Sequence, residues 1–211
     1  MTKKKNEMRN ATFIERLGAV IIDIFLVSIV VTLISQPFYN NDNDNYDKML
    51  EESKEVVNQY TNGKISMKTY MSKVTDISYD IAKETGLSSI ISVFVTALYF
   101  IVFQFKNNGQ TIGKRLLKIK VVKDGNDELT INDFMIRSLI VNSIIFDIIG
   151  ICIIMFTNKD VYFYSVYIVQ IVQYLVLFIC AIMVLSRKDK KGIHDLLVNT
   201  KVVKEFKEMK A

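Results

Sequence analysis

The side chains able to do chemistry in this chain are few, and most lie where charge is costly. Asp23 interrupts the apolar run from Arg16 to Ile34, RLGAVIIDIFLVSIVVTLI. Asp147 lies near the middle of a later apolar run, and Gln170 and Gln173 lie inside the last one. A carboxylate in hydrocarbon costs roughly 2.5–3.5 kcal/mol on insertion scales, so it must face helices, water or a partner. Two roles follow for Asp23, Asp147, Gln170 and Gln173. They line a path for a cation or proton, or they hold helices together by hydrogen bonds. Arg16 stands seven residues before Asp23. At 3.6 residues per turn the two share a stripe, separated by about 10 Å along the axis.

His194 is the single histidine, and Asp195 follows it. A catalytic triad or metal centre needs more partners than the sequence gathers. The pair either caps a turn just beneath the membrane, or Asp195 pairs with Arg16 or another cation as a gate or fold lock. These roles are compatible. Cys152 and Cys180 lie in apolar runs, without disulfide or metal-ligand spacing. No nucleophile–base pair is evident, so an enzyme is the least supported class. No cofactor or metal is implied.

Four apolar stretches position these residues, at about 16–35, 87–105, 138–156 and 162–185, each long enough to cross a bilayer. The first follows Lys3, Lys4, Lys5 and Arg9, as a signal peptide would. It is too long, contains Asp23 and ends in Ser-Gln-Pro, so it reads as a retained span. Thr12 and Glu15 match a capping box, which suggests a short interfacial helix before the span. Pro37 stops the first helix. Asn40 to Asn45 is a loop tract.

Residues 46–61 and 66–84 carry helical apolar spacing, broken at Thr61-Asn62-Gly63. The segment 38–86 therefore reads as a helical hairpin inserted between spans. In the basic loop 106–137, Thr111 can cap a short turn running to Leu117. Residues 118–122, 128–131 and 200–204 alternate as strands of a small sheet. Asn132 or Asp133 can cap the third membrane helix. Tyr162, Phe163, Tyr164 and Tyr167 form an aromatic belt.

Half of the 211 residues are hydrophobic, 23% are charged, and mean hydropathy is +0.24. Such segregated charge is that of a polytopic membrane protein. The net charge of +5 collects in the N-terminus, the 106–137 loop and the tail. Residues 38–87 instead hold nine acidic residues against six lysines. The positive-inside rule then puts both termini in the cytoplasm and the hairpin outside. Nucleic acid is excluded as a partner, because no reading element accompanies the basic residues. Abundant Lys, Ile and Asn without Trp suggests an AT-rich bacterial genome.

Gly109-Gln-Thr-Ile-Gly-Lys114 is only superficially a phosphate loop. It lacks the GxxxxGK[ST] pattern and a preceding strand. It reads as a tight turn that lays the chain along the headgroups. Lys114, Arg115 and Lys118 would then face anionic lipid, each worth about 1 kcal/mol near the surface.

Arg16 with Asp23, GQTIGKRLLKIKVV at 109–122 and GIHDLLVNTKVV at 192–203 together resemble the RDD family of bacterial membrane proteins. The resemblance covers nearly all of the chain outside the 38–86 insertion. It carries Arg16, Asp23 and Asp195 into the arginine and aspartate positions that name the family. Ile112 departs from the proline of many members. The resemblance implies a bacterial cell membrane, and a cation/proton exchange role has been proposed for some members.

The expected fold class is a membrane all-α protein. It is a four-transmembrane-helix bundle with both ends inside, an extracytoplasmic helical hairpin and a small cytoplasmic β element. Two functions remain open. One is a small cation/proton transporter using the buried carboxylates. It would need a homo-oligomer, because four spans make a thin wall for a pore. The other is a non-catalytic scaffold or accessory protein binding lipid or a partner protein.

Overall fold

Thr12 and Glu15 start the first long helix directly. The Glu15 amide donates to Thr12 Oγ1 at 3.3 Å and the Thr12 amide to Glu15 Oε2 at 2.9 Å, a reciprocal cap. Among the described residues no separate interfacial helix precedes it. The computed structural model describes residues 8–38, 44–125 and 127–204, and Arg9–Asn10 forms a short strand, β1. Helix α1 spans Phe13–Ser35 and passes into a 3-10 turn, Gln36–Phe38, at Pro37. Lys3 to Lys5 and most of the Asn40–Asn45 tract lie outside the described residues.

The later elements follow in order. Helices α2 (Asp44–Thr61) and α3 (Met67–Glu84) come first. Helix α4 (Gly86–Lys106) contains a π-helical stretch at Leu98–Phe103. Next are α5 (Ile112–Leu116) and strand β2 (Ile119–Lys123). Helices α6 (Ile131–Val141), α7 (Ile144–Phe156) and α8 (Lys159–Ser186) follow. Helix α9 (Ile193–Leu197) and strand β3 (Thr200–Lys204) complete the described chain.

Helices α1, α4 and α8 are each long and apolar enough to cross a membrane. Their large apolar side chains point outward: Phe25, Phe94 and Phe178 are 65%, 63% and 62% exposed. That is the surface of an element solvated by lipid rather than by a protein core. The third expected span is not one straight helix. Helices α6 and α7 meet at a 63° bend and qualify as a span only together. Asn142 ends α6, and Ser143 adopts a φ of 59°. A side chain rarely takes that conformation, and it breaks the helical hydrogen-bond ladder.

Contacts divide the chain into two units. The first draws on Met1–Val30, Phe94–Ile145 and Gln173–Ala211. It contains an antiparallel sheet in the order β1-β3-β2, with Val121 opposite Val202 and Asn10 opposite Val203. Ile119 and Val121 are fully buried with Ala11, Ala19, Phe134 and Val202, and Leu117 and Leu129 pack against them. Each such large apolar side chain is worth about 1.5–3 kcal/mol when buried.

The strand expected at 128–131 does not form. Thr130 instead caps α6: its amide donates to Asp133 Oδ2 at 2.8 Å, and Asp133 N to Thr130 Oγ1 at 3.4 Å. The cap is thus Thr130 rather than Asn132 or Asp133. The capping box commits the segment to helix, and the N-terminal Arg9–Asn10 supplies the third strand.

The second unit, Val31–Val93 with Phe146–Val172, contains the α2–α3 hairpin. Tyr60 stacks on Tyr70 across its turn at 4.6 Å, and Ser66 caps α3 through the Thr69 amide. Tyr79 is buried against Tyr162 and donates its hydroxyl to Thr157 O at 3.1 Å. Lys159 bonds Asp80 at 3.0 Å.

Candidate functional site

Two carboxylates organise the first unit, one inside the membrane helix and one beside it. Asp23 on α1 is fully buried. Its Oδ1 accepts the Tyr99 hydroxyl at 2.6 Å and the Gly113 amide at 2.8 Å. Its Oδ2 accepts the Thr111 hydroxyl at 2.6 Å. Tyr99 in turn accepts the Ile112 amide at 3.0 Å. Thr111 is also the N-cap of α5, accepting from the Lys114 amide. Asp23 therefore closes the start of α5, where amides point outward and favour an anion.

Gly113 is required by proximity. A Cβ there would stand 2.2 Å from Ala19 O and 2.9 Å from Asp23 Oδ1. The Gly109-to-Lys114 block is thus a saddle on α1. At its other end Gly109, at φ +85, approaches the Val121 carbonyl too closely for a side chain.

Asp195 on α9 is the second carboxylate, also fully buried. Arg16 Nη1 donates to its Oδ2 at 2.8 Å, and Arg137 Nη1 donates to its Oδ1 and to Thr200. The Gly192 amide donates to Oδ2 at 3.2 Å, and His194 Nε2 lies 3.3 Å from the same oxygen. Burial opposes ionisation of Asp195, but the Arg137 charge, the His194 hydrogen bond and Arg16 outweigh it. The carboxyl is held far below the usual carboxylate range. For His194 burial wins, and the imidazole is pushed below its ordinary value despite Asp195. Its ring packs on Gly192, where a Cβ would meet Cε1 at 2.7 Å and Nδ1 at 3.1 Å.

Arg16 makes only one of its possible contacts. Among the described residues, its Nε and Nη2 are buried without a hydrogen-bond partner. Lys114 is less exposed than Arg115 and Lys118, the other two basic residues expected to face headgroups. It is half-buried, and burial and Arg137 pull its ammonium down to about 7, against the opposing pull of Asp23 and Asp195. Arg115 and Lys118 are exposed. Farther along, Asp124 accepts Lys201 at 2.8 Å and is paired with Lys191, and these lysines hold its carboxyl below the usual range.

Asp147 and Gln170 are exposed and Gln173 is half-buried. None of the three has a hydrogen-bond partner among the described residues. No three of His, Cys, Asp and Glu come together as metal ligands among the described residues. No spacing in the sequence assigns Tyr99, Gly113, Arg137 or Thr200 to either carboxylate. A cation at the edge of an apolar run, as Arg137 is, was the one signal pointing to a buried partner.

The model of the RDD family matches residues 10–199. No curated protein and no solved structure matches the chain.

Proposed function

The chain belongs to the RDD family, and on that footing we propose that it is a multi-pass membrane accessory protein, not an enzyme. It works by holding lipid or a partner protein at the bacterial cell membrane. In this reading four spans are present, the bent α6–α7 pair counting as one. Both termini and the sheet lie in the cytoplasm, and the α2–α3 hairpin lies outside.

The observation carrying this reading is the full coordination of Asp23 by three donors from Tyr99, Thr111 and Gly113. A carboxylate committed to three fixed hydrogen bonds is a fastener. A carrier of ions must exchange its partners at each cycle. Asp195, shared between two guanidiniums, is fastened in the same way.

One observation favours the exchanger instead. The break at Asn142-Ser143 stands shortly before Asp147 within a bent pair of apolar helices. Discontinuous membrane helices often build ion sites from freed backbone groups. Because Asp147 is exposed, such a site would be completed by a second copy of the chain.

Purified protein in liposomes carrying a pH gradient separates the two. The accessory reading expects sodium, potassium or lithium to dissipate the gradient no faster than in protein-free liposomes. Cation-dependent dissipation that disappears in Asp147→Asn would establish the exchanger.

A further inference from the structure

Arg16, Ala19 and Asp23 recur at i, i+3 and i+7 on one stripe of α1. Gly113 is seated on that stripe between Ala19 and Asp23. The next residue, Lys114, lies near enough to Arg137, Asp23, Asp195 and Arg16 to interact electrostatically with all four. Its ammonium has no hydrogen bond or ion pair among the described residues. Arg16 uses Nη1 for Asp195 and leaves Nε and Nη2 buried and unpartnered. Those two atoms form one edge of the guanidinium, where two parallel N–H bonds match two oxygens of a phosphate or carboxylate. A buried charged donor without an acceptor is costly, so a group not yet named is expected to meet it.

The local charge has the right sign. Arg16, Arg137 and the Lys114 ammonium bring three positive charges against the two carboxylates Asp195 and Asp23, a net excess of one positive charge. The place is right too. Arg16 lies in the first turn of α1, at one end of a helix long and apolar enough to cross a membrane. Half-buried Lys114 keeps a way in.

We propose that the Nε–Nη2 edge of Arg16, with the Lys114 ammonium, is a binding site for a phosphate group. His194 Nδ1 is also unpartnered, but it lies against Gly192 and stays outside the site. Taken from a phospholipid headgroup, the phosphate deepens the accessory reading and rests on it; taken as the free ion, it goes beyond both the accessory and the exchanger reading. The phosphate comes from a phospholipid headgroup or from free phosphate.

Purified protein in a maltoside detergent is titrated with phosphatidylglycerol, with a galactolipid lacking phosphate, and with inorganic phosphate. Thermal unfolding and lipid retention by native mass spectrometry are measured. A rise in unfolding temperature with phosphatidylglycerol but not galactolipid, with lipid retained, assigns the site to a headgroup. The same rise with inorganic phosphate alone assigns it to the free ion.

Arg16→Lys keeps a cation for Asp195 and removes the two-pronged edge. It should weaken phosphate binding by about tenfold or more, as expected for loss of a bidentate charge-assisted pair. Lys114→Gln touches neither carboxylate's hydrogen bonds and should weaken binding several-fold, so it decides the matter if Arg16→Lys fails to fold. No response to either phosphate source overturns the proposal. So does wild-type affinity in the folded variants.

Discussion

Arg16 and Asp195, 179 residues apart in sequence, meet through a 2.8 Å hydrogen bond that ties the first membrane helix to the segment following the last. Arg137 reaches the other oxygen of the same carboxylate from α6. Three distant parts of the chain thus converge on one negative charge.

Removing one partner of a buried pair costs roughly 3–5 kcal/mol, because the other charge is left uncompensated. Arg16→Ala and Asp195→Ala should each lower thermal stability in detergent by that order. The double variant should lose less than the sum of the two. Asp195→Asn should be worse than Arg16→Ala, since it strands two guanidiniums instead of leaving one pair intact. Additive losses would remove the coupling.

Gly113→Ala should destabilise by about 1–3 kcal/mol, the usual effect of overpacking. The new methyl would meet backbone at Ala19, which cannot swing aside. Gly150→Ala is the control. Nothing lies within 4 Å of its Cβ position, and alanine is the better helix former. Equal unfolding temperatures for the two variants would contradict the close packing of α5 on α1.

Asp23→Asn should leave most protein folded, because its oxygen can still accept from Tyr99 and Gly113 while the Thr111 hydroxyl turns to accept from the new amide. Asp23→Leu should deplete folded protein from the membrane, since it strands three donors at about 1–3 kcal/mol each. Fluorescence size-exclusion profiles compare the two. Matching profiles would show that the donors have other partners.

Lys114 gives up its proton near 7 in the folded protein and near 10.5 when unfolded. Between those values the unfolded chain binds the extra proton, so raising pH favours the folded state. Burial sets this shift, Arg137 and Arg16 add to it, and Asp23 and Asp195 oppose it. The unfolding temperature should therefore climb from pH 7 to pH 9 in the native protein relative to Lys114→Met. Parallel pH profiles would place the ammonium in solvent.

Cysteine labelling tests the orientation. Lys64→Cys, between α2 and α3, should react with an impermeant reagent from outside, and Lys120→Cys only after permeabilisation. The reverse pattern would invert the protein.

The sequence by itself determined what is local. Apolar length specified the membrane helices, and Thr12, Thr111 and Pro37 marked helix ends through chemistry confined to a few neighbours. Alternation at 118–122 and 200–204 marked two of the three strands, the first lying one residue later, at Ile119–Lys123. The Arg16–Asp195 pairing was also open to sequence reasoning, because a cation and a carboxylate flanking spans at the same membrane face have few other partners.

Tertiary structure decided the rest. Alternation at 128–131 lost to a capping box, and two residues at the N-terminus took the third strand position, which no local pattern announces. The break at Asn142-Ser143 is invisible in hydropathy, because both halves of the bent span are apolar. Lys114 is a surface lysine by sequence pattern, and its partial burial follows from the seating of Gly113 on Ala19. Asp23 could not be assigned to Tyr99, Thr111 and Gly113 from spacing, because those donors come from a π-helical stretch and a five-residue helix whose placement depends on the assembled fold. A buried charge announces that it needs partners, and only the packed chain determines which ones reach it.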